Sequence, residues 1–239
     1  MIRTILVLLF LLCFFIISIP LYLIEAIVGH FDIHKKERSS FVIVTTALKI
    51  IIWLSGIHLI VKGREKVPKD QAVLYVSNHR SYFDIVTLYP LTNNTTGFVA
   101  KKELERIPFI RRWMRYMNCQ FLDRENIKEG LKTILNCIAI VKGGCSICIF
   151  PEGTRNKVNS DWQENKGGAG MMAFTAKVPV VPFALKKKFK PFRKNELYIG
   201  KPFDYSDLYG QKRSSALDDI LTERIRENLQ KTVDIAQGK

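Results

Sequence analysis

The sequence predicts a single α/β domain with a mixed sheet flanked by helices, preceded by a hydrophobic two-helix membrane element. Short apolar, β-branched runs alternate with segments of helical periodicity, and neither a repeat nor a long linker divides them. Two longer apolar runs precede these segments. With 239 residues, 47% of them hydrophobic, the chain is long enough for one full domain and a short appendage. We expect the membrane element over residues 1–61 and the domain over residues 62–239.

The first apolar run, residues 4–24, is uncharged and long enough to cross a bilayer, with Pro20 as its interruption. A signal peptide would begin similarly, with Arg3 before an apolar core. However, no small-residue cleavage site follows, and a second apolar run lies downstream at residues 41–61, interrupted by Lys49. An uncleaved anchor is therefore favoured.

The charged segment between the two runs, residues 30–38, bears on the topology. Two full spans would place its cations outside if the domain faces the cytoplasm, which opposes the tendency of positive charge to stay inside. A hairpin seated in one leaflet keeps these cations at the cytoplasmic interface. A single span followed by an interfacial helix is a further possibility. We expect a membrane location with the domain of residues 62–239 facing the cytoplasm.

A strand-to-helix turn carries the first candidate site. The apolar run at residues 72–76 predicts a strand and a helical pattern follows, so His79 is expected in the turn that leaves the strand. Asp84 would lie in the first helical turn and could reach back to one imidazole nitrogen, which leaves the other as a base. This is the orienting half of a catalytic triad without a serine, so the substrate would bring its own hydroxyl. A structural hydrogen-bonded pair is the alternative.

The middle of the chain contains candidate anion-binding side chains and a predicted core helix. Residues 97–100 predict a short strand that ends at Lys101, a position suited to an anion, although a solvated lysine fits equally well. Residues 106–115 contain four arginines, which indicate a helix that faces headgroups or an acidic carrier, or a solvated basic face. A core helix ending at a glycine pair is predicted by apolar residues at helical spacing, namely Ile127, Leu131, Ile134, Ile138 and Val141.

A second strand-end turn follows the apolar run at residues 146–150. It consists of Pro151, Glu152, Gly153, Thr154 and Arg155, so a rigid proline precedes a flexible glycine. Two such turns, one with a base and one with a carboxylate and a guanidinium, can converge on a single pocket.

The C-terminal part is predicted to complete the domain. Residues 180–184 and 196–200 predict two further strands. Ser215 and Asp218 have the spacing of a capping box that opens an amphipathic helix, and the apolar stripe of this helix is expected to pack on the domain.

The net charge indicates which macromolecular partners to expect, and the cysteines bear on metal sites and disulfides. A formal charge of +15 calls for a polyanion, and the apolar N-terminus favours an anionic phospholipid membrane over nucleic acid, for which no motif is present. The five cysteines are scattered in apolar runs, which favours buried thiols. Cys145 and Cys148 have zinc-knuckle spacing, but no second pair exists. We predict no metal, no disulfide and no nucleic-acid partner.

The two turns resemble known motifs. Asn78 and His79 followed by Asp84 are similar to motif I of the glycerolipid acyltransferases, and residues 150–155 are similar to motif III, specifically as found in the 1-acylglycerol-3-phosphate (lysophosphatidate) acyltransferase family. The resemblance covers roughly residues 57–200. Further matches fall in the family's order: residues 121–124 with motif II, residues 178–183 with motif IV, and the segment of Lys101 with the lysine-bearing segment after motif I.

Two positions depart from the family pattern. Asn118 stands where motif II usually opens with glycine, and asparagine adopts left-handed backbone less freely than glycine does. Phe183 ends motif IV where smaller aliphatic residues are common, which could reshape an apolar tunnel. The resemblance implies the glycerolipid acyltransferase fold and, from its bacterial members, a two-helix element in one leaflet of the bacterial inner membrane.

The resemblance also implies an enzyme of phospholipid biosynthesis. It would transfer an acyl chain from an acyl thioester to the 2-hydroxyl of 1-acylglycerol-3-phosphate and form phosphatidic acid. The thioester would be acylated acyl carrier protein (acyl-ACP) or acyl-CoA as co-substrate, and no cofactor is expected. His79 would act as the base and Asp84 would hold its ring. The substrate-binding candidates are Arg124 and Arg155 for bidentate phosphate contacts, Lys101 as a point charge, Glu152 for positioning the hydroxyl or the arginines, and Gly153 and Thr154 in the same turn.

Alternatives remain at this stage. The acceptor could be another lysolipid or glycerol-3-phosphate, or the chain could be a catalytically silent, basic membrane-binding protein. The presence of His79, Asp84, Glu152 and Arg155 together argues against silence, since a binding module gains nothing from a base beside a carboxylate. The sequence leaves open the donor, the acyl chain length and the oligomeric state.

Overall fold

The computed structural model describes residues 2–79, 81, 83–153, 168–186 and 194–238. These residues form a seven-stranded sheet with helices on both faces, preceded by two long helices. The helices are α1 (Ile2–Phe31), α2 (Ile33–Leu54), α3 (Phe83–Leu88), α4 (Pro108–Tyr116), α5 (Ile127–Lys142), α6 (Gly168–Ala176) and α7 (Ser215–Gln237). The strands are β1 (His58–Lys62), β2 (Leu74–Ser77), β3 (Thr96–Lys101), β4 (Gln120–Leu122), β5 (Ser146–Ile149), β6 (Val180–Leu185) and β7 (Lys194–Ile199).

The sheet is mixed, which confirms the prediction. Its strand order is β1-β7-β6-β2-β5-β3-β4, and neighbouring strands run parallel except for the antiparallel pair β6 and β7. The central strands β2, β5 and β6 are buried along their whole length, as apolar runs between two helical layers should be. The carboxyl ends of β2, β5, β3 and β4 therefore lie side by side along one edge of the sheet.

Alternate residues of β2 face two separate cores. Leu74 and Val76 pack with α5, α6 and α7 on one face of the sheet. Val73 and Tyr75 face the other side, where Phe41 of α2 and other apolar residues of that helix pack against them. This two-residue alternation is the ordinary consequence of strand geometry, and it places α2 directly over one face of the sheet.

The two N-terminal helices form a hairpin. Asp32 separates α1 from α2 and caps α2, because its carboxylate accepts a hydrogen bond from the amide of Lys35 at 3.0 Å. Farther from the turn, Ser39 of α2 donates to the carboxylate of Glu25 of α1 at 2.7 Å. Among the residues that the structure describes, α1 is the one helix long and apolar enough to cross a membrane, and most of its large apolar side chains are exposed.

The second apolar run does not continue as one segment, contrary to the prediction. Residues 41–54 belong to α2, Gly56 turns the chain with a φ of 66°, and β1 follows and pairs with β7. A left-handed residue cannot continue a helix, so the apolar sequence after Gly56 joins the sheet instead. The predicted division at residue 61 therefore falls inside β1.

The predicted core stripe of α5 is only partly buried. Ile138 and Val141 are in the core, but Ile127 is 88% exposed and Leu131 is 48% exposed. The buried face is instead centred on Thr133, Cys137 and Val141, so the first two turns of the helix present the predicted stripe to the surface. Helical spacing predicted the helix correctly but not the direction in which its first turns face.

The predicted capping box of α7 is displaced by one residue. Ser214, not Ser215, is the N-cap, since its backbone is extended and its hydroxyl accepts a hydrogen bond from the amide of Leu217 at 3.2 Å. Because Ser214 and Ser215 are adjacent, the sequence does not determine which of them is the N-cap. The apolar stripe of α7 packs on the domain as predicted, with Leu217, Leu221, Ile225 and Leu229 buried.

Asn118, which replaces the usual glycine of motif II, has left-handed backbone with a φ of 60°. Its carbonyl oxygen lies close to Gly97 of β3, where an added Cβ would come within 2.5 Å of it. Glycine at 97 therefore permits the close approach of β3 to the turn before β4. Asparagine is among the few residues other than glycine that adopt this left-handed backbone readily.

Candidate active site

The candidate residues converge because four parallel strands end at one edge of the sheet. His79 follows β2, Glu152 and Gly153 follow β5, Lys101 ends β3, and Arg124 follows β4. The strand order β2-β5-β3-β4 places these four ends next to one another. The crevice outside the carboxyl ends of parallel strands is where α/β folds bind their ligands.

His79 and Asp84 form the pair that the sequence predicts. The Nδ1 atom of His79 lies 2.9 Å from Oδ2 of Asp84, which is fully buried at the start of α3. The imidazole stacks on the ring of Phe150 with a centroid separation of 4.2 Å. Contact at Nδ1 fixes the ring orientation and leaves Nε2 as the nitrogen for chemistry.

Ser81 holds the Asp84 carboxylate from a second direction, a contact that the sequence reasoning missed. Its amide donates to Oδ2 at 2.7 Å and its hydroxyl donates to Oδ1 at 3.0 Å. The hydroxyl also accepts a hydrogen bond from the amide of Phe83 at 3.1 Å. The serine thus caps α3 and orients the carboxylate. The serine-turn pattern after His79 was the signal that could have revealed it.

Glu152 lies beneath the histidine turn. It is 4% exposed, and its Oε1 atom accepts a hydrogen bond from the backbone amide of His79 at 3.4 Å. This contact links the turn after β5 to the turn after β2. Gly153 has a φ of 69°, which permits the tight turn that the sequence predicts after Pro151. Thr154 and Arg155 lie outside the described residues.

The two cationic side chains, Lys101 and Arg124, differ in their contacts with neighbouring residues. Lys101 forms an ion pair with Glu103, and both side chains are more than half exposed. Arg124 is partly buried, and its Nε atom is buried without a hydrogen-bond partner among the residues that the structure describes. Burial lowers the pKa of the Arg124 guanidinium, while nearby Glu103 acts in the opposite direction. An inward-facing guanidinium with an open donor is suited to an anionic ligand.

A cavity of about 710 Å³ joins these residues. His79, Lys101, Glu103 and Arg124 supply the ionisable side chains of its lining, Gly153 also lines it, and the rest of the lining is mainly apolar. Its size is that of a site for a small organic molecule. Its walls come from the sheet, from α4 and from both N-terminal helices, including Leu11, Phe14 and Phe15 of α1 and Val44, Ala47, Leu48 and Ile51 of α2.

The contribution of the N-terminal helices to this cavity was missed by the sequence reasoning. An apolar helix that packs on a domain has the same composition as one that faces lipid. The sequence therefore carries no signal that distinguishes the residues that line the cavity from those that face lipid. The prediction for residues 106–115 was incomplete for the same reason. Trp113 of α4 is 3% exposed and lines the cavity, while Arg112 lies over the ring of Tyr22 of α1, with 5.2 Å between the guanidinium carbon and the ring centroid.

A buried thiol also lines the cavity. Cys119 lies 3.2 Å from the hydroxyl oxygen of Tyr89, and its sulfur accepts a hydrogen bond from the amide of Phe98 at 3.3 Å. Burial raises the pKa of the Cys119 thiol above its ordinary value. A protonated thiol is a poor nucleophile, so Cys119 is not the group that this arrangement activates.

Comparisons with known proteins identify the family to which this chain is similar. A family model described as Acyltransferase matches residues 58–186. A 1-acyl-sn-glycerol-3-phosphate acyltransferase of Borreliella burgdorferi is 33% identical over 162 residues, which are 67% of this chain and 64% of the relative. A protein of the same name from Haemophilus influenzae is 30% identical over 181 residues, which are 70% of this chain and 75% of the relative.

The similarity extends to a solved structure. The crystal structure of the 1-acyl-sn-glycerophosphate (LPA) acyltransferase PlsC from Thermotoga maritima superimposes with a TM-score of 0.68 at 25% sequence identity. It covers 96% of this chain and 97% of that chain, so the shared architecture includes the N-terminal helices. By sequence, the chain spans about half to two thirds of the length of several relatives, such as 64% of the Borreliella protein and 53% of a probable 1-acyl-sn-glycerol-3-phosphate acyltransferase of Mycoplasma pneumoniae.

Proposed function

The chain belongs to the acyltransferase family, and we propose that it transfers an acyl chain from an acyl thioester to the 2-hydroxyl of 1-acylglycerol-3-phosphate, forming phosphatidic acid. The observation that carries the proposal is the 2.9 Å contact between His79 and Asp84 beside a largely apolar cavity. The names of the relatives support lysophosphatidate as the acceptor.

His79 acts as the general base in the proposed reaction. Its Nε2 atom takes the proton of the acceptor hydroxyl while Asp84 stabilises the imidazolium that forms. The hydroxyl oxygen attacks the carbonyl carbon of the thioester, and a new ester C–O bond forms in a tetrahedral intermediate. When the intermediate collapses, the C–S bond breaks, and the imidazolium returns its proton to the departing thiolate. The enzyme is thus restored without an acyl-enzyme.

The remaining contacts around His79 keep this geometry. Ser81 orients the Asp84 carboxylate, and Glu152 accepts a hydrogen bond from the backbone amide of His79. We therefore assign Glu152 to positioning the histidine turn. Such preorganisation matters because a displacement of about 1 Å at a reacting group can cost roughly a hundredfold in rate.

The cavity is proposed to hold the acyl chain of the donor. Apolar side chains from α1, α2 and α4 form much of its wall, and His79 lies in the same lining, so a chain bound there would place its thioester carbonyl near the base. Either acyl-ACP or acyl-CoA would serve as the donor, since the part of the donor beyond the sulfur lies outside the apolar walls. No further cofactor takes part in these steps.

The acceptor phosphate is proposed to bind at the cationic side of the site. Arg124 offers a buried, open Nε donor, and Lys101 adds charge at the end of the neighbouring strand. Gly153, whose backbone lines the cavity, permits close approach of a ligand, and Thr154 and Arg155 continue the same turn in sequence. A guanidinium binds phosphate through two parallel hydrogen bonds, which a lysine cannot reproduce.

Replacing Arg124 tests the phosphate assignment. If the guanidinium binds the phosphate, Arg124→Ala should lose about 1.5–3 kcal/mol of transition-state stabilisation, or roughly ten- to a hundredfold in kcat/KM, on lysophosphatidate. The same variant should lose far less on monoacylglycerol, which has no phosphate. Arg124→Lys should recover only part of the loss. The measurement is kcat/KM for both acceptors at one donor concentration.

The matched control for this variant is Arg226→Ala. Arg226 is an exposed arginine of α7 that pairs with Glu223 at 2.6 Å, so its loss should leave the acceptor preference unchanged. Equal losses of Arg124→Ala on both acceptors would show that Arg124 supports the pocket or binds the donor, and would reject it as the phosphate ligand.

A lysolipid panel tests the function against its rivals. Purified protein in mixed micelles would be given acyl-CoA or acyl-ACP together with lysophosphatidate, other lysophospholipids or glycerol-3-phosphate, and the products identified by mass spectrometry. We expect phosphatidic acid as the main product. Preferential acylation of another acceptor would replace the substrate assignment. Absence of thioester consumption with every acceptor in the panel would indicate a catalytically silent, membrane-binding protein.

We propose that the protein is located at a membrane, with its domain on the cytoplasmic face. In a bacterium, this membrane would be the inner membrane. The exposed apolar surface of α1 and the formal charge of +15 support an anionic phospholipid surface as a partner. The hairpin of α1 and α2 is proposed as the membrane element, in one leaflet, with the remaining chain as the acyltransferase domain. In that arrangement the acceptor reaches the site from the leaflet in which it lies.

A further inference from the structure

The exposed apolar helix α1 carries a buried polar face. Its three buried residues are all polar, namely Ser18, Tyr22 and Glu25. Spacings of four and three residues place them on one side of the helix. Polar side chains are costly in a helix surrounded by lipid and usually mark a contact with a function. This face therefore requires an explanation beyond membrane anchoring.

Ser18 and Tyr22 join α1 to α4 of the domain. The indole Nε1 of Trp113 donates to the hydroxyl of Ser18 at 2.9 Å, and that hydroxyl donates to the carbonyl of Phe14 at 2.7 Å. The hydroxyl of Tyr22 donates to the carbonyl of Phe109 at 2.8 Å. We refer to Ser18, Tyr22, Phe109 and Trp113 as the α1–α4 seam.

The seam ends at a wall of the cavity. Trp113 lines the cavity and is 3% exposed. Its ring lies 6.1 Å from that of Phe14 and 5.1 Å from that of Tyr22, measured between centroids, so α1 holds the indole by two rings and one hydrogen bond. Because protein interiors are close-packed, a change in these contacts moves the indole and changes the space beside it.

We propose that Ser18 and Tyr22 are positioning residues that hold the Trp113 indole in the cavity wall, so that the anchor helix takes part in selecting the acyl chain. The proposal rests on the acyl transfer proposed above, in which the cavity holds the donor chain. An anchor that served only to hold the protein on the membrane would need neither a serine that accepts from Trp113 nor a tyrosine that donates to the α4 backbone.

The test is the chain-length profile of Ser18→Ala and Tyr22→Phe. The full-length protein would be assayed with lysophosphatidate and two series of donors, acyl-CoA and acyl-ACP, in which successive acyl chains differ by two carbons. Discrimination of one methylene in an apolar pocket reaches roughly tenfold. We therefore expect the ratio of kcat/KM between the preferred donor and its neighbours to change by about threefold or more in each variant. Ser18→Thr keeps a hydroxyl and should restore the wild-type profile.

Thr45→Val supplies the matched control. Thr45 is a buried residue of α2 whose hydroxyl donates only to carbonyls of its own helix, those of Phe41 and Val42, among the described contacts. Its replacement removes a helix hydroxyl without removing a described hydrogen bond to α4, so the chain-length profile should stay the same. Thermal unfolding of each variant identifies those that remain folded. If Ser18→Ala does not fold, Trp113→Phe removes the same hydrogen bond from the other side.

The outcomes separate this inference from the proposed function. A folded Ser18→Ala or Trp113→Phe variant with the wild-type profile, or one that loses the same factor on every chain length, overturns the seam as a selecting element. A changed profile that Ser18→Thr restores supports it. Absence of wild-type turnover on lysophosphatidate with every donor overturns the proposed function, and the positioning role with it.

Discussion

We expect the His79→Ala variant to lose about two to four orders of magnitude in kcat on lysophosphatidate, the range that general-base catalysis typically contributes. His79 is at the end of β2, its Nδ1 is bound to Asp84, and it lines the cavity. Without the imidazole, water must accept the hydroxyl proton. The KM values for donor and acceptor should change little, because neither the apolar walls nor the cations are altered. Initial-rate kinetics on purified variant and wild type measure both quantities.

His58→Ala is the matched control for this experiment. His58 begins β1 at an exposed position, so its replacement should leave kcat unchanged. Thermal unfolding should show that both variants are folded, because Ser81 still donates two hydrogen bonds to the Asp84 carboxylate when the imidazole is removed. A folded His79→Ala variant that retains more than about a tenth of the wild-type kcat would remove His79 from the role of base.

The Asp84→Asn variant should lose about two to three orders of magnitude in kcat, comparable with the loss of a preorganised charge contact in other enzymes. The amide of Ser81 and the Nδ1 atom of His79 both lie within hydrogen-bond distance of Oδ2. Two converging N–H groups would select the amide oxygen of asparagine at that position, so the imidazole tautomer is kept. The loss then measures the charge that stabilises the imidazolium. The ring orientation should be retained.

Two observations check this interpretation of Asp84. The histidine ring nitrogens, followed by NMR in wild type and Asp84→Asn, should show the same tautomer. Asp207→Asn, which changes a surface carboxylate paired with Arg224 at 2.6 Å, should leave kcat unchanged. If Asp84→Asn instead turns over at the wild-type rate, the negative charge of Asp84 has no catalytic role and the residue only positions the imidazole.

Much of the site could be predicted because it depends on local sequence. An apolar run followed by a turn and a helical pattern places His79 at a strand end, and five residues of separation bring Asp84 back to its ring. Parallel strands bring such turns to one edge, which explains why the Glu152 turn meets the His79 turn. The backbone at Asn118 was left open by the sequence, since asparagine adopts left-handed backbone less freely than glycine, and the structure shows it with a φ of 60°.

The walls of the cavity could not be predicted, because they depend on how distant segments pack. Hydrophobic periodicity shows that a helix has an apolar face but not which neighbour covers it. For this reason the contributions of Phe14 and Trp113 were missed, and Ile127 was wrongly expected in the core. The chain direction changes at Gly56 within a largely apolar run, so composition alone could not separate α2 from β1.

Direct transfer from the thioester to lysophosphatidate is the central claim, and intact-protein mass spectrometry combined with thiol release tests it most directly. The protein would be incubated with acyl-CoA or acyl-ACP alone, and lysophosphatidate would then be added. We predict no acyl adduct and no thiol release above background in the first stage, followed by thiol and phosphatidic acid in equal amounts after addition. An acyl adduct or a stoichiometric burst of thiol before addition, or thiol release afterwards without phosphatidic acid, would contradict direct transfer by the His79–Asp84 pair.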